Sequence, residues 1–134
     1  MSVNDIQIDG THYKNKRYQH WDFACDTEQP YVIGCATKYI ARWKHKHPEP
    51  CKKLIDLEKS IHYLQKAKEK CILVKLHDTI QYTEKFVSQL EVDEAFIIGI
   101  IMQNKFDEAV HYIEKMIIKY KSVLGEATAA YVDQ

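Results

Sequence analysis

The chain has 134 residues, 46% of them apolar and 28% charged, which is ordinary for a globular protein and enough to bury one core. Nineteen Lys and Arg balance nineteen Asp and Glu, so net charge gives no electrostatic footprint for duplex nucleic acid. No apolar run approaches the roughly 18 residues of a membrane span, and no targeting peptide is visible. A cytoplasmic protein without membrane contact is expected.

Residues 1–20 have no helical period and carry the turn signal Asp9-Gly10. They predict an irregular arm that Ile6, Ile8, Tyr13 and Tyr18 could pin to the fold, with His12, Tyr13 and Lys14 offering a stacking ring and phosphate donors. Trp21 to Thr27 predicts a short helix, with Asp22 near its N-terminus, where the dipole favours a carboxylate, and Trp21 as a core anchor.

Pro30 to Lys66 predicts two helices joined by a proline-marked turn, a helical hairpin. In the first helix Tyr31, Ala36, Tyr39, Ile40 and Trp43 form an apolar side, with Trp43 near the helix end expected to be partly exposed or in a subunit interface. Gly34, Lys38, Arg42 and His45 form a polar stripe. A helical glycine costs roughly 1 kcal/mol against alanine, so Gly34 calls for a reason such as close backbone approach. The gap it leaves, with Lys38 and Arg42 one turn apart, suits a phosphate.

The second helix starts near Pro50, and Leu54, Leu57, Ile61 and Leu64 form its seam. Lys52, Asp56, Lys59 and Tyr63 run beside that seam; on spacing alone this is a solvated face with weak ion pairs. From Lys38 to Lys53 six Lys or Arg and two His face a single acid, Glu49. The four cysteines (25, 35, 51 and 71) show no CxxC spacing and read as reduced thiols that mostly fill the core.

After a break at residues 69–77, a third long helix is predicted from Asp78 to Leu90, with Leu76, Ile80, Val87 and Leu90 close to one face. Val92 to Met102 is almost wholly apolar and must be buried within the fold or between subunits. Asn104 reads as an N-cap for a helix from Lys105 to about Leu124, buried through Phe106, Ala109, Ile113, Met116, Ile117 and Tyr120 and ended by Gly125. The expected class is all-α: the hairpin core at about 30–67, three further C-terminal helices and an irregular N-terminal arm. Residues 1–70 would be the ligand-binding region. Residues 71–134 would be a helical extension packing on it or forming a subunit interface.

The strings GCATKYIARW and KKLIDLEKSIHYLQKA, with His12-Tyr13-Lys14 and Trp21-Asp22 upstream, resemble the signature of the SaV-like bacteriophage family. Members of that family read approximately GNAIKYIARAGKK and then EDLKKAIWYLE. The likeness covers residues 10–68, and it departs at Cys35 for asparagine, Trp43 for a small residue, Ser60 for alanine, and a turn without glycine. The family includes a podoviral kinase acting on deoxynucleoside monophosphates. The resemblance therefore implies a nucleotide ligand, with base preference open to change at Cys35.

There is no GxxxxGK[ST] loop, so phosphoryl transfer would depend on cationic side chains. Lys38 and Arg42 are the candidate clamp and Asp56 the candidate carboxylate for orienting a hydroxyl or a metal. Family likeness and helix geometry together nominate a ligand set of His12, Tyr13, Lys14, Gly34, Lys38, Tyr39, Arg42, Lys59 and Tyr63. ATP would be the phosphoryl donor, with magnesium. The hairpin has no ExxE pair, which sets aside a magnesium-dependent helical pyrophosphatase. His45 and His47 are expected in solvent rather than as metal ligands. The first function expected is a nucleoside monophosphate kinase without a phosphate loop, acting on deoxynucleotides; the alternative is a non-catalytic, oligomeric anti-defence sponge that sequesters host-defence nucleotide signals. A homo-oligomer is expected with either.

Overall fold

The computed structural model describes residues 18–76 and 78–132, with side chains to residue 125. The arm at 1–17, including His12, Tyr13 and Lys14, lies outside the described residues. Among those residues the secondary structure is six helices: α1 (His20–Asp26), α2 (Tyr31–Arg42), α3 (Pro50–Glu69), α4 (Ile80–Val87), α5 (Val92–Ile101) and α6 (Phe106–Val132). The expected all-α class and hairpin hold.

Local chemistry sets most boundaries. At the start of α1 the Gln19 N–H donates to Asp22 Oδ2 at 3.0 Å, which places the carboxylate at the positive helix end. Pro30 caps α2 and Pro50 opens α3, positions where the missing N–H costs nothing. Past the end of α3, Ile72 N–H reaches back to the Ala67 carbonyl at 2.8 Å while Cys71 takes φ 55°. This is a helix stop of the kind that glycine normally fills.

The core is one cluster drawn from both halves of the chain. Ile33, Ala36 and Ile40 of α2, Leu57, Ile61 and Leu64 of α3, Phe86 of α4, Ile97, Ile98 and Ile101 of α5, and Ala109, Ile113 and Met116 of α6 are all buried. Of the α3 seam, Leu57, Ile61 and Leu64 fall in the core as their spacing places them, whereas Leu54, near the start of the helix, is half-buried. The apolar α5 is buried within the fold, so its isoleucines fill this core, although Phe96 stays 49% exposed.

Several expectations are corrected. Trp21 is 49% exposed and does not anchor the core; Phe23 does, stacked on Phe86 at 4.6 Å. Trp43 is 3% exposed, inside the fold and edge-on to Tyr120 at 5.4 Å. Tyr31, assigned to the apolar side of α2, is 77% exposed because it starts the helix beyond the reach of the core. Cys25, Cys51 and Cys71 are exposed and Cys35 is half-buried, so the thiols are not core fillers. The third long helix is only the eight-residue α4, and Leu76 and Ile80 are exposed. Asp78 with φ 57° interrupts the backbone just upstream.

Asn104 does not cap α6 in the usual manner. It takes φ 64°, and its amide clasps the backbone of Val74, accepting from its N–H at 2.7 Å and donating to its carbonyl at 2.9 Å. Gly125 does not end α6, which continues to Val132; one glycine in a long helix costs roughly 1 kcal/mol, too little to stop it. Among the described residues no helix is long and apolar enough to cross a membrane.

Candidate functional site

Antiparallel packing of α2 on α3 decides which polar side chains meet. Residues 31, 35, 38 and 42 fall on one stripe of α2 at spacings of four, three and four. That stripe carries Tyr31, Cys35, Lys38 and Arg42. Tyr39 leans from it towards α3 and stacks on Tyr63, with ring centroids 5.9 Å apart and planes 16° from parallel. Tyr31 meets the edge of Tyr63 at 6.3 Å. The Arg42 guanidinium carbon lies 4.7 Å from the centre of the Tyr39 ring and the Lys59 ammonium 5.5 Å from it, both within cation–π range. One ring therefore gathers two cations from two helices.

Below this group lies Asp56. The residue is 3% exposed, so the line Lys52, Asp56, Lys59 and Tyr63 is not simply a solvated face. Arg42 Nε approaches Asp56 Oδ2 at 3.8 Å, and His47 Nε2 from the hairpin turn approaches the same oxygen at 4.0 Å. These are ion-pair separations, beyond hydrogen-bond length. Arg42 Nε and Asp56 Oδ2 are both buried without a hydrogen-bond partner. Asp56 thus acts as a counter-charge under Arg42 and does not point at solvent.

Around Gly34 the chain leaves room. A Cβ built there would meet only Gln29, at 3.9 Å, so close backbone approach is not the reason for this glycine. Beside it, Thr37 donates to Gln29 Oε1 at 2.9 Å and shares a 2.7 Å hydrogen bond with His20 Nε2. Burial holds the His20 pKa down to about 4, helped by the charges of Lys38 and Arg42. The Tyr63 hydroxyl is pushed up to about 12, first by the charge of the Cys35 sulfur, then by burial and a hydrogen bond with that sulfur. Cys35 therefore sits within the aromatic group.

The structure brings together Tyr39, Arg42, Asp56, Lys59 and Tyr63; Lys38 is exposed on α2 one turn before Arg42, with Gly34 a further turn away. Tyr31 was missed as a site residue, although its spacing of seven from Lys38 carried the signal. His47 was missed as a neighbour of Asp56, because a turn has no periodicity to read. His45 is largely exposed, 3.9 Å from Glu91. Among the described residues no group of three or more His, Cys, Asp or Glu could hold a metal ion. A cavity of about 210 Å³ lies between α2 and the start of α5, lined by Trp43, Lys44, Leu90 and Glu94 among others. Its lining includes none of the α2–α3 site residues, and Lys44 bridges it as a structural tie.

Against known proteins, no family model, no curated protein and no solved structure matches the chain.

Proposed function

We propose that the chain binds a nucleotide on the α2–α3 face, with the base against Tyr31 and the phosphate end directed along the cations Lys38, Arg42 and Lys59. The observation that carries this reading is the convergence of Arg42 and Lys59 on the Tyr39 ring, with Asp56 seated beneath Arg42. Cations fixed on an aromatic ring beside a second, open ring match the two halves of a nucleotide, one anionic and one flat. The likeness of GCATKYIARW to the SaV-like signature points the same way.

Capture without turnover is the form this geometry supports best, as in a phage sponge for host-defence nucleotide signals. A kinase needs a carboxylate in reach of the acceptor hydroxyl. Asp56 is buried and tied to Arg42, which suits it to holding a cation and leaves it poorly placed to take a proton. Phosphoryl transfer to a deoxynucleoside monophosphate is the second reading, favoured by the cluster of cations that could stabilise a transferring phosphoryl group. Its ATP would bring magnesium in on its own phosphates. In either form we infer a homo-oligomer, for which exposed Val92, Phe96 and Ile118 supply apolar contact surface; light scattering measures the mass.

Incubation with ATP, magnesium and a panel of nucleoside monophosphates, followed by chromatography, tests the function. Retention of an unaltered nucleotide supports capture, and a new diphosphate supports the kinase. If nothing is retained and nothing is converted, nucleotide handling falls.

A further inference from the structure

Which face of which ring is free decides where a base can lie. Tyr39 is covered by Arg42 at 4.7 Å, Lys59 at 5.5 Å and the stacked Tyr63 at 5.9 Å. Tyr31, by contrast, is 77% exposed, and its ring contact among the described residues is the edge-on one with Tyr63. The open platform therefore sits at the N-terminal end of α2, and the cations lie further along the helix. At 1.5 Å rise per residue, Lys38 is about 10 Å and Arg42 about 16 Å along the axis from Tyr31.

Charge balance along that axis is uneven. Arg42 has Asp56 beside it at 3.8 Å. Lys38 and Lys59 are exposed and make no ion pair with any described carboxylate. The segment from Tyr31 to Lys66 holds eight Lys or Arg against three acids in a chain that is neutral overall, so positive charge is concentrated on this hairpin and the excess of acids lies elsewhere.

Resting on the nucleotide-binding reading, we propose that the ligand carries at least two phosphate groups, as a linear di- or triphosphate or as two linked nucleotides. A monophosphate keeps its charge one sugar away from the base. With that base on Tyr31 it reaches Lys38 and leaves Lys59 and Arg42 unmet. A second and third phosphate extend along the stripe towards both. The field of Lys38 and Arg42 already reaches the fold interior, where both help to hold His20 neutral.

Equilibrium dialysis of the full chain against AMP, ADP, ATP and 5′-phosphorylated diadenylate, at one ionic strength, tests the proposal. Affinity is expected to rise at least about tenfold from AMP to ATP, as added charge meets added cations. The ratio between ATP and diadenylate separates a linear polyphosphate from a phosphodiester. Lys59→Ala should shrink the advantage of ATP over AMP, whereas Tyr31→Ala should weaken all four alike. Both positions are exposed, so these variants should fold, as circular dichroism can verify. Equal affinity for AMP and ATP overturns the multi-phosphate proposal and leaves nucleotide binding standing. Binding of none of the four overturns both.

Discussion

Arg42 and Asp56 meet across the hairpin with Nε 3.8 Å from Oδ2, and neither atom has a hydrogen-bond partner. The carboxylate is 4% exposed and the guanidinium side chain 16%, so the pair sits at the base of the cationic face. Removing one partner strands the other charge in a poorly solvated place. Asp56→Ala should cost roughly 2–4 kcal/mol in urea denaturation and weaken nucleotide binding, because Arg42 is released from its seat over Tyr39. A variant as stable as the parent and binding equally well would show that Asp56 does not position Arg42.

Lys44 ties α2 to the start of α5. Its ammonium lies 2.5 Å from Glu91 and 2.8 Å from Glu94, whose side chain is only 5% exposed. Burial raises the Glu94 carboxyl above its ordinary range, although Lys44 pulls against that. For Lys44 itself, burial lowers the pKa, but the bonds to Glu91 and Glu94 prevail and hold it above its ordinary value. Lys44→Met should cost roughly 2–3 kcal/mol near pH 7, since it leaves a buried carboxylate unpaired. The penalty should shrink as pH falls, because a protonated Glu94 needs no counter-charge. Urea melts at two pH values check it, and a penalty that does not change with pH would contradict this account.

His20 contributes a pH dependence of its own. Its folded pKa of about 4 lies below the ordinary 6.5, so the unfolded chain binds the proton more readily. Its stabilising contribution is present above pH 6.5 and is lost as pH falls from there through about 4. In full it amounts to about 3 kcal/mol. Carboxylates titrate in part of the same window, so the contrast to measure is parent against His20→Gln, whose stability should fall less steeply. Lys38→Ala should move the His20 titration towards neutrality in proton NMR, because Lys38 is among the charges that depress it.

Asn104 links the chain after α3 to the start of α6. Its left-handed backbone and its two amide bonds to Val74 act at once. Asn104→Ala loses both bonds and keeps an unfavourable φ, and should cost roughly 2–3 kcal/mol. Asn104→Gly also loses the bonds but suits the backbone, so it should cost less. Equal thermal denaturation midpoints for the two variants would remove the backbone part of the argument.

Helix existence and the hairpin were legible because Pro30 and Pro50 carry fixed backbone geometry and the seam Leu57, Ile61 and Leu64 repeats with the helical period. Those are local properties, and local chemistry writes them into the sequence. The grouping of Lys38 and Arg42 was legible for the same reason, since residues four apart on a helix share a face wherever that helix goes. Burial was not legible in this way. Trp21 and Trp43 are equally apolar, yet one is half exposed and the other buried, because only the placement of α6 brings Tyr120 over Trp43. Asp56 looks solvated on its own helix, and its burial exists only once α2 delivers Arg42 and the turn delivers His47. The sequence by itself determined the periodic elements and their polar stripes. The tertiary structure decided which charges are paired, which ring is open and which apolar face is used, because each depends on atoms that distant segments bring together.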